Sequence, residues 1–76
     1  MEKITPYKVV SSNIDAIGWK PEALFIRFNS GVTYTYDKVP ESYLEAMRTA
    51  ESVGKFFHRM IKGKFEFIKL EVDPFL

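Results

Sequence analysis

The sequence contains no cysteine and only one histidine among its 76 residues. Without cysteine the chain forms neither disulfides nor thiolate metal sites, and His58 alone cannot build a histidine-rich metal site. No apolar run approaches the roughly 20 residues of a membrane-spanning helix, and the N-terminal residues lack the apolar stretch of a signal peptide. We therefore expect a cytoplasmic protein that uses no metal, no cofactor and no membrane.

The motifs of catalysis and of nucleotide binding are also missing. Nucleophilic catalysis needs a serine, cysteine or threonine beside a base. No serine or acid lies at a sequence spacing from His58 that is typical of a catalytic site. The chain has neither a phosphate-binding P-loop nor a dinucleotide-binding glycine pattern. A net charge of +1 argues neither for nor against a polyanionic partner. The sequence thus predicts a protein that is not an enzyme.

Aromatic residues, by contrast, make up 16% of the chain, which is enough bulk for the core of one small domain. Apolar alternation predicts strands over 24–28 and 32–36, after a β-like segment over 9–19. Apolar residues at helical spacing predict helices near 40–50 and 52–62.

The predicted fold class is α+β. We expect a three- or four-stranded antiparallel sheet with two helices packed on one face, in the order β-β-β-α-α. A further strand is expected over 64–72. The predicted boundaries are a loose arm over 1–8, the domain over 9–72 and a tail over 73–76.

The register of the second hairpin decides where Tyr34 and Tyr36 point. A two-residue loop would mix apolar and polar residues on both faces. A three-residue loop with Gly31 in the left-handed conformation pairs Ile26 with Tyr34 and Leu24 with Tyr36. Because a one-residue slip would move the whole apolar set, we predict the longer loop. Both tyrosines then lie under a helix, with their hydroxyls at the edge of the core, rather than on an exposed stacking platform.

Four bases recur at helical spacing on the second predicted helix: Lys55, His58, Arg59 and Lys62. They share a face opposite the apolar stripe, and no acid interrupts that face. One interpretation is a solvated face, with cations favoured near the helix C-terminus. The functional interpretation is a local positive field that contacts phosphates or an acidic partner.

The start of this helix is a second candidate. Ser52 is expected to cap the helix, and Gly54 leaves the backbone open to a ligand oxygen. An anion could then bind the unpaired N–H groups of the first turn and next Lys55. Alternatively, Gly54 only lets the two helices pack closely. The candidate nucleic-acid or anion-binding set is Ser52, Gly54, Lys55, His58, Arg59 and Lys62.

The other face of the sheet is expected to carry Ile17, Trp19 and Phe25, pointing away from the helices. Either the C-terminal strand or the N-terminal arm covers these side chains, or they form a partner surface. Trp19 is then the candidate for stacking on unpaired bases.

Three segments, VVSSNIDAIGW, LFIRFNSGVTYTYDKVPE and AESVGKFFHRMIKGKF, together resemble the KTSC domain. This family is named after its occurrence at the C-terminus of some lysyl-tRNA synthetases, and it also occurs as small stand-alone proteins. The resemblance spans about residues 9–65. It includes Ser11-Ser12, the Tyr34/Tyr36 pair and Ser52-x-Gly54, but Trp19 stands where the family has Tyr and His58 where it has Asn.

The resemblance implies a small α+β domain of unknown biochemical role. It also implies RNA binding, by association with the synthetases rather than by mechanism. We therefore expect a non-catalytic module that binds RNA or another acidic partner through the basic helix face. The alternative is a protein-interaction or homodimer module that acts through a sheet edge or the Trp19/Phe25 face.

Overall fold

Within residues 3–76, five strands form one antiparallel sheet with helices on one side. The computed structural model describes residues 3–76. The strands follow one another across the sheet in chain order: β1 (Tyr7–Lys8), β2 (Ile14–Lys20), β3 (Ala23–Phe28), β4 (Thr33–Asp37) and β5 (Phe67–Leu70). The α+β class and the C-terminal strand are confirmed, and the sheet has one strand more than expected because β1 forms within the predicted arm.

The helices lie between β4 and β5 in the chain. They are α1 (Ser42–Arg48) and α2 (Val53–Phe56), and α2 continues as a π-helical segment, Phe57–Ile61. Both fall inside the predicted ranges. Within residues 3–76 no helix is long and apolar enough to cross a membrane.

The β3–β4 hairpin has the predicted register. Ile26 lies opposite Tyr34 and Leu24 opposite Tyr36. The Phe28 N–H donates to the Val32 carbonyl at 2.9 Å and closes a three-residue loop, in which Gly31 has a φ of 95°. We call the face that carries Leu24, Ile26 and Tyr36 the front face.

The β2–β3 hairpin differs from the expectation. A two-residue turn places Trp19 opposite Leu24 and Ile17 opposite Ile26. Directly opposite residues of antiparallel strands point to the same face, so Ile17 and Trp19 lie on the front face. The expectation that they point away from the helices is wrong. Phe25, which lies opposite Gly18, does point to the back face.

The core lies between the front face and the helices. Its buried side chains are Ile14, Ile17, Leu24, Ile26, Tyr36, Val39, Leu44, Met47, Val53, Phe57 and Ile61. The Trp19 indole packs against this cluster, and its Nε1–H donates to the Val39 carbonyl at 2.8 Å. Trp19 therefore links β2 to the segment that leads into α1. It does not form a common surface with Phe25.

The terminal segments cover part of the back face. Ile4 and Phe75 form a parallel bridge and are only 6% and 3% exposed. They sit over Gly18, where an added Cβ would lie 2.7 Å from Phe75 and 2.9 Å from Ile4. The expected loose arm is therefore packed against the rest of the domain along residues 3–8. Residues 1 and 2 of that arm lie outside the described range.

An ion-pair network, which we call the terminal clasp, holds the termini in place. Arg27 Nε donates to Asp15 at 2.8 Å, Lys8 Nζ donates to the same carboxylate at 2.9 Å, and Arg27 Nη1 donates to Asp73. The hydrogen bonds from Lys8 and Arg27 lower the pKa of Asp15. The Phe75 backbone N–H, followed by Arg27, lowers the pKa of Asp73. Because both pKa values lie below the ordinary range, the clasp stabilises the fold at neutral pH and weakens in acid.

We predict that Gly18→Ala destabilises the protein by about 1–3 kcal/mol, because the new methyl group overpacks the back face. The strain should be partly relieved in a Phe75→Ala background, where one of the colliding side chains is gone. Urea unfolding of the two single variants and the double variant measures this coupling. An unchanged unfolding midpoint for Gly18→Ala would contradict the packing described here.

Candidate nucleic-acid interface

The second helix begins with a side-chain cap and then widens. Ser52 has an extended backbone, and its hydroxyl accepts a hydrogen bond from the Lys55 N–H at 3.2 Å, as predicted for an N-cap. Further along, the Lys62 N–H donates to the Phe57 carbonyl at 2.9 Å. This bond spans five residues, which defines the π-helical segment.

Residues four apart form rows along this helix. The buried residues Val53, Phe57 and Ile61 are spaced by four along the helix. Rows therefore run along positions four apart, and the predicted basic face is divided into two. His58 and Lys62 line a groove on the front of the molecule, together with Gly54, whereas Lys55 and Arg59 form a second row that does not line it. All four bases are exposed.

The groove lies between the second helix, the edge of the sheet and two loops. Its volume is about 580 Å³, which falls in the usual range for sites that hold a small organic group. The residues that line it are Ser12, Asn13, Ile14, Phe28, Asn29, Ser30, Tyr34, Tyr36, Gly54, Phe57, His58, Lys62, Gly63 and Phe67.

Aromatic rings form the floor of the groove. The Tyr34 ring centroid lies 5.6 Å from that of Phe67 and 5.8 Å from that of Phe28, both in edge-on geometry. Phe67 is 60% exposed, whereas Tyr36 is only 5% exposed. The prediction that Tyr36 lies under a helix is confirmed, while Tyr34 is half-buried and faces the groove.

Sequence reasoning missed Phe67 as a site residue. Its position depends on β5 lying beside β4, where Phe67 is opposite Tyr36. The only sequence signal was that the apolar alternation changes phase between Phe67 and Ile68, which gives no information on the neighbouring strand.

Burial acts on the ionisation of Tyr36. The loss of solvent around its hydroxyl, with a smaller contribution from Tyr34, raises the pKa of Tyr36 to about 12. Tyr36 is therefore neutral at physiological pH, and the floor of the groove carries no negative charge from this hydroxyl.

A rigid polar loop forms the end of the groove. The Ser11 hydroxyl accepts hydrogen bonds from the Asn13 and Ile14 N–H groups, both at 3.2 Å. The Asn29 amide Nδ2 donates to the carbonyls of Ser11 at 3.3 Å and Ser12 at 3.0 Å. These bonds fix Ser12 and Asn13 at the groove, where neither was predicted.

Among residues 3–76 no three histidine, aspartate or glutamate side chains are placed to hold one metal ion. The remaining predicted surface residues lie elsewhere: Trp19 packs against the core, and Phe25 lies on the back face.

Comparisons with a family model and with a solved structure indicate the same family. The model of the KTSC domain matches residues 10–65. A crystal structure of a KTSC domain protein from Yersinia pestis superposes with a TM-score of 0.80 at 40% identity, covering 88% of this chain and 97% of that one.

Curated relatives are of two kinds. A protein of Tsukamurella paurometabola is 38% identical over 64 residues, which is 82% of this chain and 96% of that protein. A lysine–tRNA ligase of Nostoc punctiforme is 47% identical over 51 residues, which is 67% of this chain. The matched region spans only 9% of the length of that ligase.

We predict that Tyr36→Phe reduces the loss of stability in alkaline solution. The unfolded chain ionises Tyr36 near its ordinary pKa of about 10, whereas the folded protein keeps the proton up to about 12. A raised folded-state pKa stabilises the protein fully below the lower value, and this stabilisation is lost as pH rises through the higher one. Urea unfolding of both proteins across that interval should show a shallower decline for the variant. If the stability of both proteins declined equally with rising pH, the raised pKa of Tyr36 would be contradicted.

Proposed function

The chain belongs to the KTSC domain family, and we propose that it is a small binding module for single-stranded RNA that acts through the groove. The main observation in support is that one cleft combines a floor of aromatic side chains with a rim of basic side chains. Three of the curated relatives are named lysine–tRNA ligases, proteins that act on an RNA, and this supports an RNA ligand.

The floor provides the surface for a base. Unpaired bases stack on aromatic side chains in RNA-binding modules, and Phe67 is the most exposed ring of the floor. Tyr34 holds Phe67 edge-on at 5.6 Å, so the stacking ring is supported from one side. A base on Phe67 would extend the aromatic cluster of the floor into the cleft.

The rim provides the contact for the phosphates. Lys62 and His58 line the same groove as Phe67, so a nucleotide stacked on Phe67 brings its phosphate near a cation. Lys55 and Arg59 form the second basic row outside the groove and extend the positive field around the helix. Ser52 holds the start of this helix through its cap and so positions both rows.

We expect Phe67→Ala and Lys62→Glu to weaken binding of random single-stranded RNA in different ways. Loss of the stacking ring should lower affinity about tenfold and leave the salt dependence unchanged. Lys62→Glu should lower affinity and also reduce the slope of log affinity against log salt, because a phosphate contact is lost. Fluorescence anisotropy at several salt concentrations measures both quantities.

Lys55→Glu is the matched control, because it makes the same charge change outside the groove. It should weaken binding less than Lys62→Glu. Equal effects of the two charge reversals would show a diffuse field instead of a site at the groove. Absence of salt-dependent RNA binding by the unmodified protein would overturn the proposal.

A second candidate function is self-association through β5. Among the described strands β5 ends the sheet, and Ile68 is 66% exposed. The Asp37 N–H donates to the Glu66 carbonyl, so the backbone groups of Phe67 and Lys69 point away from β4. These groups are free to pair with a strand of another molecule.

Ile68→Lys separates the two candidates, because Ile68 lies opposite Thr35 on the back face and does not line the groove. If self-association is the function, sedimentation should show a concentration-dependent dimer that this variant abolishes. If RNA binding is the function, the variant should bind RNA as tightly as the unmodified protein. A monomer at all concentrations removes the second candidate.

A further inference from the structure

Gly54 has no evident structural reason to be glycine. It lies in α2, where glycine is less favourable than alanine by about 1 kcal/mol. Glycine is needed where φ is positive or where a neighbour leaves no room for a Cβ. The glycines with positive φ are Gly31 and Gly63. An added Cβ at Gly54 would meet only the Ser11 hydroxyl, at 3.9 Å, which is an ordinary contact.

The two helices therefore do not require this glycine for close packing, which was the alternative interpretation from the sequence. The contrast with Gly18 is direct, because there a Cβ would collide with side chains at less than 3 Å. Gly54 instead faces the open space of the groove, which it lines.

Gly54 also begins a row along the groove. Gly54, His58 and Lys62 are spaced by four, and all three line the cleft. One end of the row is bare backbone, opposite the Ser11 hydroxyl, and the other end carries the cation of Lys62.

We propose that the row Gly54–His58–Lys62 is the track on which the sugar–phosphate backbone of the RNA strand lies, with Gly54 as the point of closest approach. This inference rests on the proposed function and specifies how the strand is oriented. The strand runs along the helix, its phosphate meets His58 and Lys62, and its base reaches Phe67 on the floor. A side chain at position 54 would occupy the space of the strand.

Gly54→Ala and Gly54→Leu test the track. Both variants should unfold at an equal or higher urea concentration than the unmodified protein, because the groove leaves room for the side chain and glycine is the poorer helix former. Affinity for a short oligouridylate should fall by at least about tenfold for Ala and further for Leu. Anisotropy and urea unfolding are measured on the same preparations.

The outcomes are distinguishable. If the unmodified protein binds no single-stranded RNA, the proposed function fails and the track fails with it. If the unmodified protein binds and Gly54→Ala binds within twofold of it, only the track is overturned. A lower unfolding midpoint for Gly54→Ala would show that the fold needs this glycine, which also overturns the inference.

Discussion

The register of the β3–β4 hairpin is the constraint on which the rest of the structure depends. It places Leu24, Ile26 and Tyr36 on one face, and burial of each such side chain contributes about 1.5–3 kcal/mol. A slip by one residue would turn the apolar residues of one strand away from those of the other. The same register brings Tyr34 to the front, so one choice of pairing forms both the core and the floor of the groove.

The two faces of the sheet are closed by different means. Helices cover the front face, and the chain termini cover part of the back face through Ile4 and Phe75. The terminal clasp around Arg27 adds charged hydrogen bonds at the rim of the back face. Because the helices leave Phe67 exposed, the front keeps an open cleft beside a complete core.

The π-helical segment links packing to the candidate site. Phe57 and Ile61 of this segment lie in the core, and His58 and Lys62 line the cleft together with Gly54. π-Helical turns occur often at functional sites, and here the segment carries His58 at the groove and ends just before Lys62.

The sequence by itself determined the α+β class, the hairpin register and the Ser52 cap, because each depends on local spacing and turn chemistry. Only the tertiary structure decided the faces of Trp19 and Phe67, since each depends on which residue a neighbouring strand places opposite it. The structure also decided that His58 and Lys62 line the groove while Lys55 and Arg59 do not, because this depends on which elements pack beside each residue of the helix. Non-local contacts of this kind leave no periodic signal in a single sequence.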